Sequence, residues 1–128
     1  MQHMLHEVAR HLEAGEIVAV FPEGTTSDGL ALLPFHGNLM QAAIHVDCPI
    51  QPVAIRFLDL QGLRSEAPLF IGETTFVESA WNILGAPGVI AELHWLEPIA
   101  AAPDKRRSEL SDLARERIAQ ALSLPLSR

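Results

Sequence analysis

Val18-Ala19-Val20-Phe21-Pro22-Glu23-Gly24-Thr25-Thr26-Ser27-Asp28-Gly29 is the stretch on which the reading of this chain turns. Its first half is a short apolar run, entered from Gly15-Glu16 and stopped by Pro22, with the composition of a buried strand. The second half changes abruptly to a carboxylate, a glycine, three hydroxyls, an aspartate and another glycine. Polar groups at the C-terminal end of a buried strand are where open α/β sheets bind ligands. A glycine there lets backbone N–H groups come close to a ligand, and short hydroxyls add donors beside them. Such a loop suits a phosphate, with Glu23 free to orient a neighbouring hydroxyl or imidazole. The same residues also suit a solvated turn after a strand, and the glycine spacing of known phosphate loops is not present.

Phe21-Pro22-Glu23-Gly24-Thr25-Thr26-Ser27 resembles the Phe-Pro-Glu-Gly-Thr-Arg-Ser block of the phospholipid/glycerol acyltransferase family, the lysophosphatidate acyltransferases and their relatives. A second block follows at the family's spacing. Leu33-Pro34-Phe35-His36-Gly37 precedes an alanine-rich helix, and Cys48-Pro49-Ile50-Gln51-Pro52-Val53-Ala54-Ile55 is similar to the family's Pro-Ile-x-Pro-Val block. The resemblance runs from about Met4 to Phe57 and fades beyond. It implies the C-terminal part of a glycerolipid acyltransferase fold: an α/β domain whose mixed, mostly parallel sheet is flanked by helices. It also implies a role in phospholipid biosynthesis, with Glu23, Gly24, Thr25, Thr26, Ser27 and Arg56 binding the acyl acceptor.

Working outward, Leu5, Val8, Ala9 and Leu12 recur at helical spacing, and Gly15 supplies the stop. Glu16–Phe21 reads as the first strand, Gly37–Val46 as a helix and Ile50–Phe57 as the second strand. Strand, helix, strand in this order predicts a right-handed parallel crossover, which places Glu23 and Arg56 at one cleft. Beyond the polar connector Asp59–Pro68, Leu69–Gly72 suggests a short strand and Thr75–Leu84 a helix carrying Phe76, Val77, Ala80 and Trp81. Val89–Leu96 alternates as a strand with one face more polar. Asp104 is placed to cap a final helix whose stripe is Leu110, Leu113, Ala114, Ile118, Ala121 and Leu122. Arg106, Arg107, Arg115 and Arg117 lie mostly off that stripe and read as a solvated face.

At 128 residues and 48% hydrophobic content the chain is one domain at most, with enough apolar residues for a core. A net charge of −7, with one lysine (Lys105) and eight arginines, argues against nucleic acid as a partner and offers no attraction to an anionic membrane. The lone Cys48 forms no internal disulfide and suits a reducing cytoplasm. No basic-then-apolar leader opens the chain, and the uncharged run Gly29–Val46 is broken by Pro34, His36, Gly37, Asn38 and Gln41, so no membrane span is predicted. The chain as given is expected to be soluble. His3, His6 and His11 lack the spacing of a metal set and read as solvated.

Acyl transfer from a thioester to a hydroxyl needs a base for the hydroxyl proton and donors for the developing oxyanion. The family supplies the base from a His-x-x-x-x-Asp pair. Five residues beyond His3, His6, His11, His36, His45 and His94 stand Val8, His11, Glu16, Gln41, Ile50 and Ile99, so no such pair is present. His11 and Glu16 have the spacing with glutamate, but they straddle Gly15 and fall after the family's place for the pair. The expectation is therefore a partial domain, residues 1–128, that carries the acceptor block and no catalytic residue of its own. It would be inactive alone.

Thr26 stands where many relatives carry an arginine that grips the acceptor phosphate. Either Arg56 or an upstream arginine then supplies that charge, or the acceptor is another lyso-lipid, ornithine-containing ones included. His36, where relatives often have lysine, reads as helix-entry structure. The resemblance further implies acyl-CoA or acyl carrier protein as donor substrate, with no bound cofactor and no metal. It places the parent protein on the cytoplasmic side of a membrane, and the chain alone is expected to pair as a two-fold homodimer over its uncovered apolar face. A binding module for an anionic lipid head group is the competing reading.

Overall fold

Short apolar segments separated by proline and glycine give a chain of small elements. The computed structural model describes residues 2–127. They run α1 (Gln2–Glu13), a 3-10 turn (Gly37–Leu39) leading into α2 (Met40–His45), β1 (Val53–Leu58), α3 (Phe76–Gly85), β2 (Ile90–Trp95) and α4 (Arg107–Leu122). The four helices and the strands β1 and β2 follow the hydrophobic periodicity, while the strands expected at Glu16–Phe21 and Leu69–Gly72 do not form.

The core lies where α2 and α4 meet the chain on either side of the sheet. Met40, Ala43 and Ile44 of α2 pack with Leu110 and Ala114 of α4 and with Ile99 and Ala101, while Phe35 and Ile50 close its edge. α1 leans on α2 through its apolar stripe, with Ala9 buried. Ala43 and Ala114 let the helices approach closely, and the larger Met40, Ile44, Ile99 and Leu110 fill the space between them.

The sheet differs from the expected one. β1 and β2 pair antiparallel, with Val53 opposite Trp95, Ile55 opposite Leu93 and Phe57 opposite Ala91. Glu16–Phe21 forms no strand, and no parallel crossover exists among the described residues. The reason is physical: a strand exists through a neighbour's ladder, and this run has none. Ile17 is 99% exposed and Phe21 82% exposed, although both have the composition of buried strand residues.

Pairing fixes the two faces of the sheet, because opposed residues share a face and neighbours alternate. Ala54, fully buried, and Arg56, Glu92 and His94 lie on one face. Val53, Ile55, Phe57, Ala91, Leu93 and Trp95 make the other. The predicted polar/apolar alternation of β2 is present, but its apolar face is open: Ile55, Leu93 and Trp95 are exposed.

Other departures are local. Leu69–Ile71 is irregular and runs into a turn at Gly72, so no strand forms there. α4 starts at Arg107 with Arg106 before it and no side-chain cap, because the Lys105 N–H bonds the Ala102 carbonyl and holds Asp104 inside a preceding turn. Thr75 caps α3 in full: its hydroxyl accepts from the Glu78 N–H, and the Glu78 carboxylate accepts from the Thr75 N–H. Arg115, expected on a solvated face, is half-buried and donates to the carbonyls of Leu32 (2.6 Å) and Ser127.

Candidate functional site

The Glu23–Gly24 turn is held by the segment that follows it. The Gly24 N–H bonds the Phe21 carbonyl at 3.2 Å, closing the turn after Pro22. Glu23 Oε2 accepts from the Leu33 N–H at 3.2 Å, and the His36 N–H donates to the Pro22 carbonyl at 2.8 Å. The Leu33–His36 segment therefore lies against Pro22–Gly24, joined by both backbone and side chain. Glycine is required at 24 on two counts. Its φ is +69°, and a Cβ there would sit 2.8 Å from His36 Cδ2 and 2.9 Å from His36 Nε2.

Beyond Gly24 the chain makes two small side-chain turns. Ser27 Oγ accepts from the Gly29 N–H, and Asp28 Oδ1 accepts from the Leu30 N–H at 2.9 Å. Thr25 and Thr26 are exposed on the outside of this loop. Leu32 anchors its far end. It forms a parallel bridge with Leu126, takes a bond from the Ser127 N–H and gives one to the Pro125 carbonyl, and Arg115 clamps its carbonyl. The C-terminal residues thus pin the segment that holds Glu23.

Arg56, expected beside Glu23, sits within β1 and not at its end. Its guanidinium donates to Glu92 Oε1 at 2.9 Å across the strand pair, and His94 Nε2 lies against the same oxygen. The Arg56 hydrogen bond holds the Glu92 carboxyl below the usual carboxylate range, and the neighbouring His94 acts in the same direction.

The cation that reaches the loop is Arg64, which the sequence did not single out. After β1 the chain reverses at Asp59–Leu63, where Asp59 Oδ1 accepts from the N–H groups of Gln61 and Leu63 at 2.9 Å each. The reversal brings Arg64 opposite Leu58, and its guanidinium donates to the Asp28 carbonyl while pairing with Glu66. The sequence marks Asp59–Pro68 only as a polar connector, whereas its Asp59–Leu63 turn is what returns Arg64 toward the strand. The partner at Asp28, 36 residues away, left no mark in the sequence.

His11 and Glu16 do meet, Nδ1 to Oε2 at 2.8 Å, with both side chains about half exposed. That openness lacks the enclosure that activates a catalytic imidazole. Among the described residues no group of three or more His, Cys, Asp or Glu is arranged to hold a metal ion. None of the helices there is long and apolar enough to cross a membrane.

Comparison with known proteins adds the following. The family model described as Acyltransferase matches residues 1–56. A lyso-ornithine lipid O-acyltransferase of Pseudomonas aeruginosa is 33% identical, over 90% of this chain and 44% of its own. A 1-acyl-sn-glycerol-3-phosphate acyltransferase of Neisseria gonorrhoeae is 32% identical, over 87% of this chain and 43% of its own. A lyso-ornithine lipid O-acyltransferase of Rhizobium meliloti is 31% identical, over 94% of this chain and 46% of its own. The chain thus spans less than half the length of these three relatives. Similarity extends well past Phe57, where the sequence motifs had faded. No solved structure matches the chain.

Proposed function

The chain belongs to the acyltransferase family through residues 1–56, and from that premise we propose that it forms the acceptor-binding part of an enzyme acylating a lyso-lipid. The reaction joins the acceptor hydroxyl oxygen to the carbonyl carbon of an acyl thioester. The carbon–sulfur bond breaks, a base takes the hydroxyl proton, and the products are an O-acyl lipid and a free thiol. Acyl-CoA and acyl carrier protein both provide such a donor.

One observation carries the reading: Glu23 and Gly24, in the block that resembles the family's acceptor motif, are fixed by Leu33 and His36 in a turn that has no room for a Cβ. Thr25, Thr26 and Ser27 then present hydroxyls to an acceptor head group, and Arg64 stands at the loop's far end with a positive charge. Arg64 rather than Arg56 is our choice for the cation that Thr26 does not supply, because Arg64 touches the loop at Asp28, although each arginine already pairs with a glutamate. The relatives named for lyso-ornithine lipid and those named for 1-acyl-glycerol-3-phosphate fit the two acceptor classes equally well.

The base is assigned to residues outside this sequence, since no histidine here has an aspartate five positions on. Thiol release by the chain, given acyl-CoA with lysophosphatidate or a lyso-ornithine lipid, tests the reading. The expected result is saturable lyso-lipid binding without turnover. Lyso-lipid-dependent thiol release that His11→Ala abolishes would reassign the base to the His11–Glu16 pair. Absence of lyso-lipid binding would refute the acceptor role.

A further inference from the structure

α3 presents its apolar side outward. Phe76, Val77, Ala80, Trp81 and Leu84 recur at helical spacing along one stripe, and Phe76, Val77, Trp81 and Leu84 are each 73–79% exposed. Ser79, on another side of the helix, is its buried residue. Polar groups flank the stripe, with Glu73, Thr74, Glu78 and Asn82 lining one shallow surface. The helix is nonetheless well made, begun by the Thr75–Glu78 capping box. Its exposure therefore does not come from a failing helix.

We propose that α3 is a lipid-docking helix that lies in the interface of a bilayer with Phe76, Val77, Trp81 and Leu84 inserted among acyl chains. Two observations favour lipid over a protein partner. A helix of ten residues is about 15 Å long, so its stripe offers a few hundred Å² at most. A stable protein interface takes about 800 Å² from each side. A bilayer sets no such minimum, since each apolar side chain partitions separately. The stripe also pairs tryptophan and phenylalanine with aliphatic residues, the mixture suited to the bilayer interface.

Charge narrows the lipid. Glu78 is the sole ionisable residue of α3, and the whole chain is acidic. Docking here runs on apolar insertion, so it favours zwitterionic over anionic surfaces and resists salt. The choice of lipid as occupant rests on the lyso-lipid reading above. The test below measures partition and not turnover, so the two can fail separately.

Trp81 and Trp95 are the two tryptophans, so Trp95→Phe leaves Trp81 as the reporter. Phosphatidylcholine vesicles, and vesicles half phosphatidylglycerol, are titrated into dilute Trp95→Phe protein. The expected result is a blue shift of Trp81 emission, quenched by lipids brominated near the head group, with phosphatidylcholine bound at least as tightly and with little effect of salt. Phe76→Ser with Leu84→Ser should weaken partition by roughly tenfold or more, as loss of buried apolar side chains implies. Ile17→Ser, at an exposed apolar residue outside α3, should leave partition unchanged. No shift with either vesicle, or equal weakening by Ile17→Ser, overturns the proposal. So does lipid-free self-association that Phe76→Ser and Leu84→Ser abolish, because α3 would then be covered by a second copy.

Discussion

Replacing Gly24 by alanine separates two costs that the structure places on one residue. The first is conformational: φ at Gly24 is +69°, and an L side chain there costs about 1–2 kcal/mol. The second is steric, since the new Cβ would come within 2.8 Å of His36 Cδ2. The His36 side chain is exposed and can turn away, at about 0.5–1.5 kcal/mol for a displaced rotamer. Gly15 supplies the internal control, because its φ is +79° and nothing lies within 4 Å of a Cβ built there. Gly15→Ala should therefore lose only the first cost, and Gly24→Ala about 2–3 kcal/mol in all. Urea unfolding followed by circular dichroism measures both, and His36→Ala completes a double-mutant cycle. In the His36→Ala background, Gly24→Ala should fall to about the cost of Gly15→Ala. Additivity within about 0.5 kcal/mol, or a Gly24→Ala no worse than Gly15→Ala, would refute the packing of His36 on this turn.

Arg115→Ala removes the clamp on the Leu32 and Ser127 carbonyls and should cost about 2 kcal/mol, with amide exchange at Ser127 and Leu33 rising together. Arg115→Lys should recover part of that loss. Glu92 has a folded-state pKa below its ordinary value, so its contribution is present above about pH 4.3 and is lost as pH falls through the lowered value. Stability of the β1–β2 pair should drop in that acid range, and Glu92→Gln should flatten the drop. Ile55, Leu93 and Trp95 form an open apolar face, so Trp81→Phe protein should show Trp95 emission shifting to the blue as concentration rises and two-fold association begins. Sedimentation as a monomer across a hundredfold range would contradict it.

The helices were legible because their evidence is local. The stripe of α1, the apolar positions Phe76, Val77, Ala80 and Trp81 of α3 and the Leu110–Ala114 side of α4 are all written within a few residues. β1 and β2 were legible as strands, but their antiparallel pairing joins Val53 to Trp95 across a long connection that no periodicity describes. The Glu16–Phe21 run had a strand's composition without the partner that makes a strand. At the site, Glu23 and Gly24 were singled out from their motif, and His36 does stand at the entry to the 3-10 turn that leads into α2. Arg115 and Arg64 were missed because each acts on a distant backbone carbonyl, which has no side-chain signature. Arg56 was read without its cross-strand partner Glu92, which could be named only once the register was known.

The acceptor-binding claim is tested most directly by amide chemical shifts of the ¹⁵N-labelled chain titrated with a short-chain lysophosphatidate kept below its micelle concentration. Saturable shifts should be confined to Gly24, Thr25, Thr26 and Ser27 and to the Arg64 guanidinium, with Arg56 and Glu92 unmoved. Shifts centred on Arg56 and Glu92, or a Gly24–Ser27 loop that stays silent through saturation, would contradict the assignment of this turn as the acceptor site.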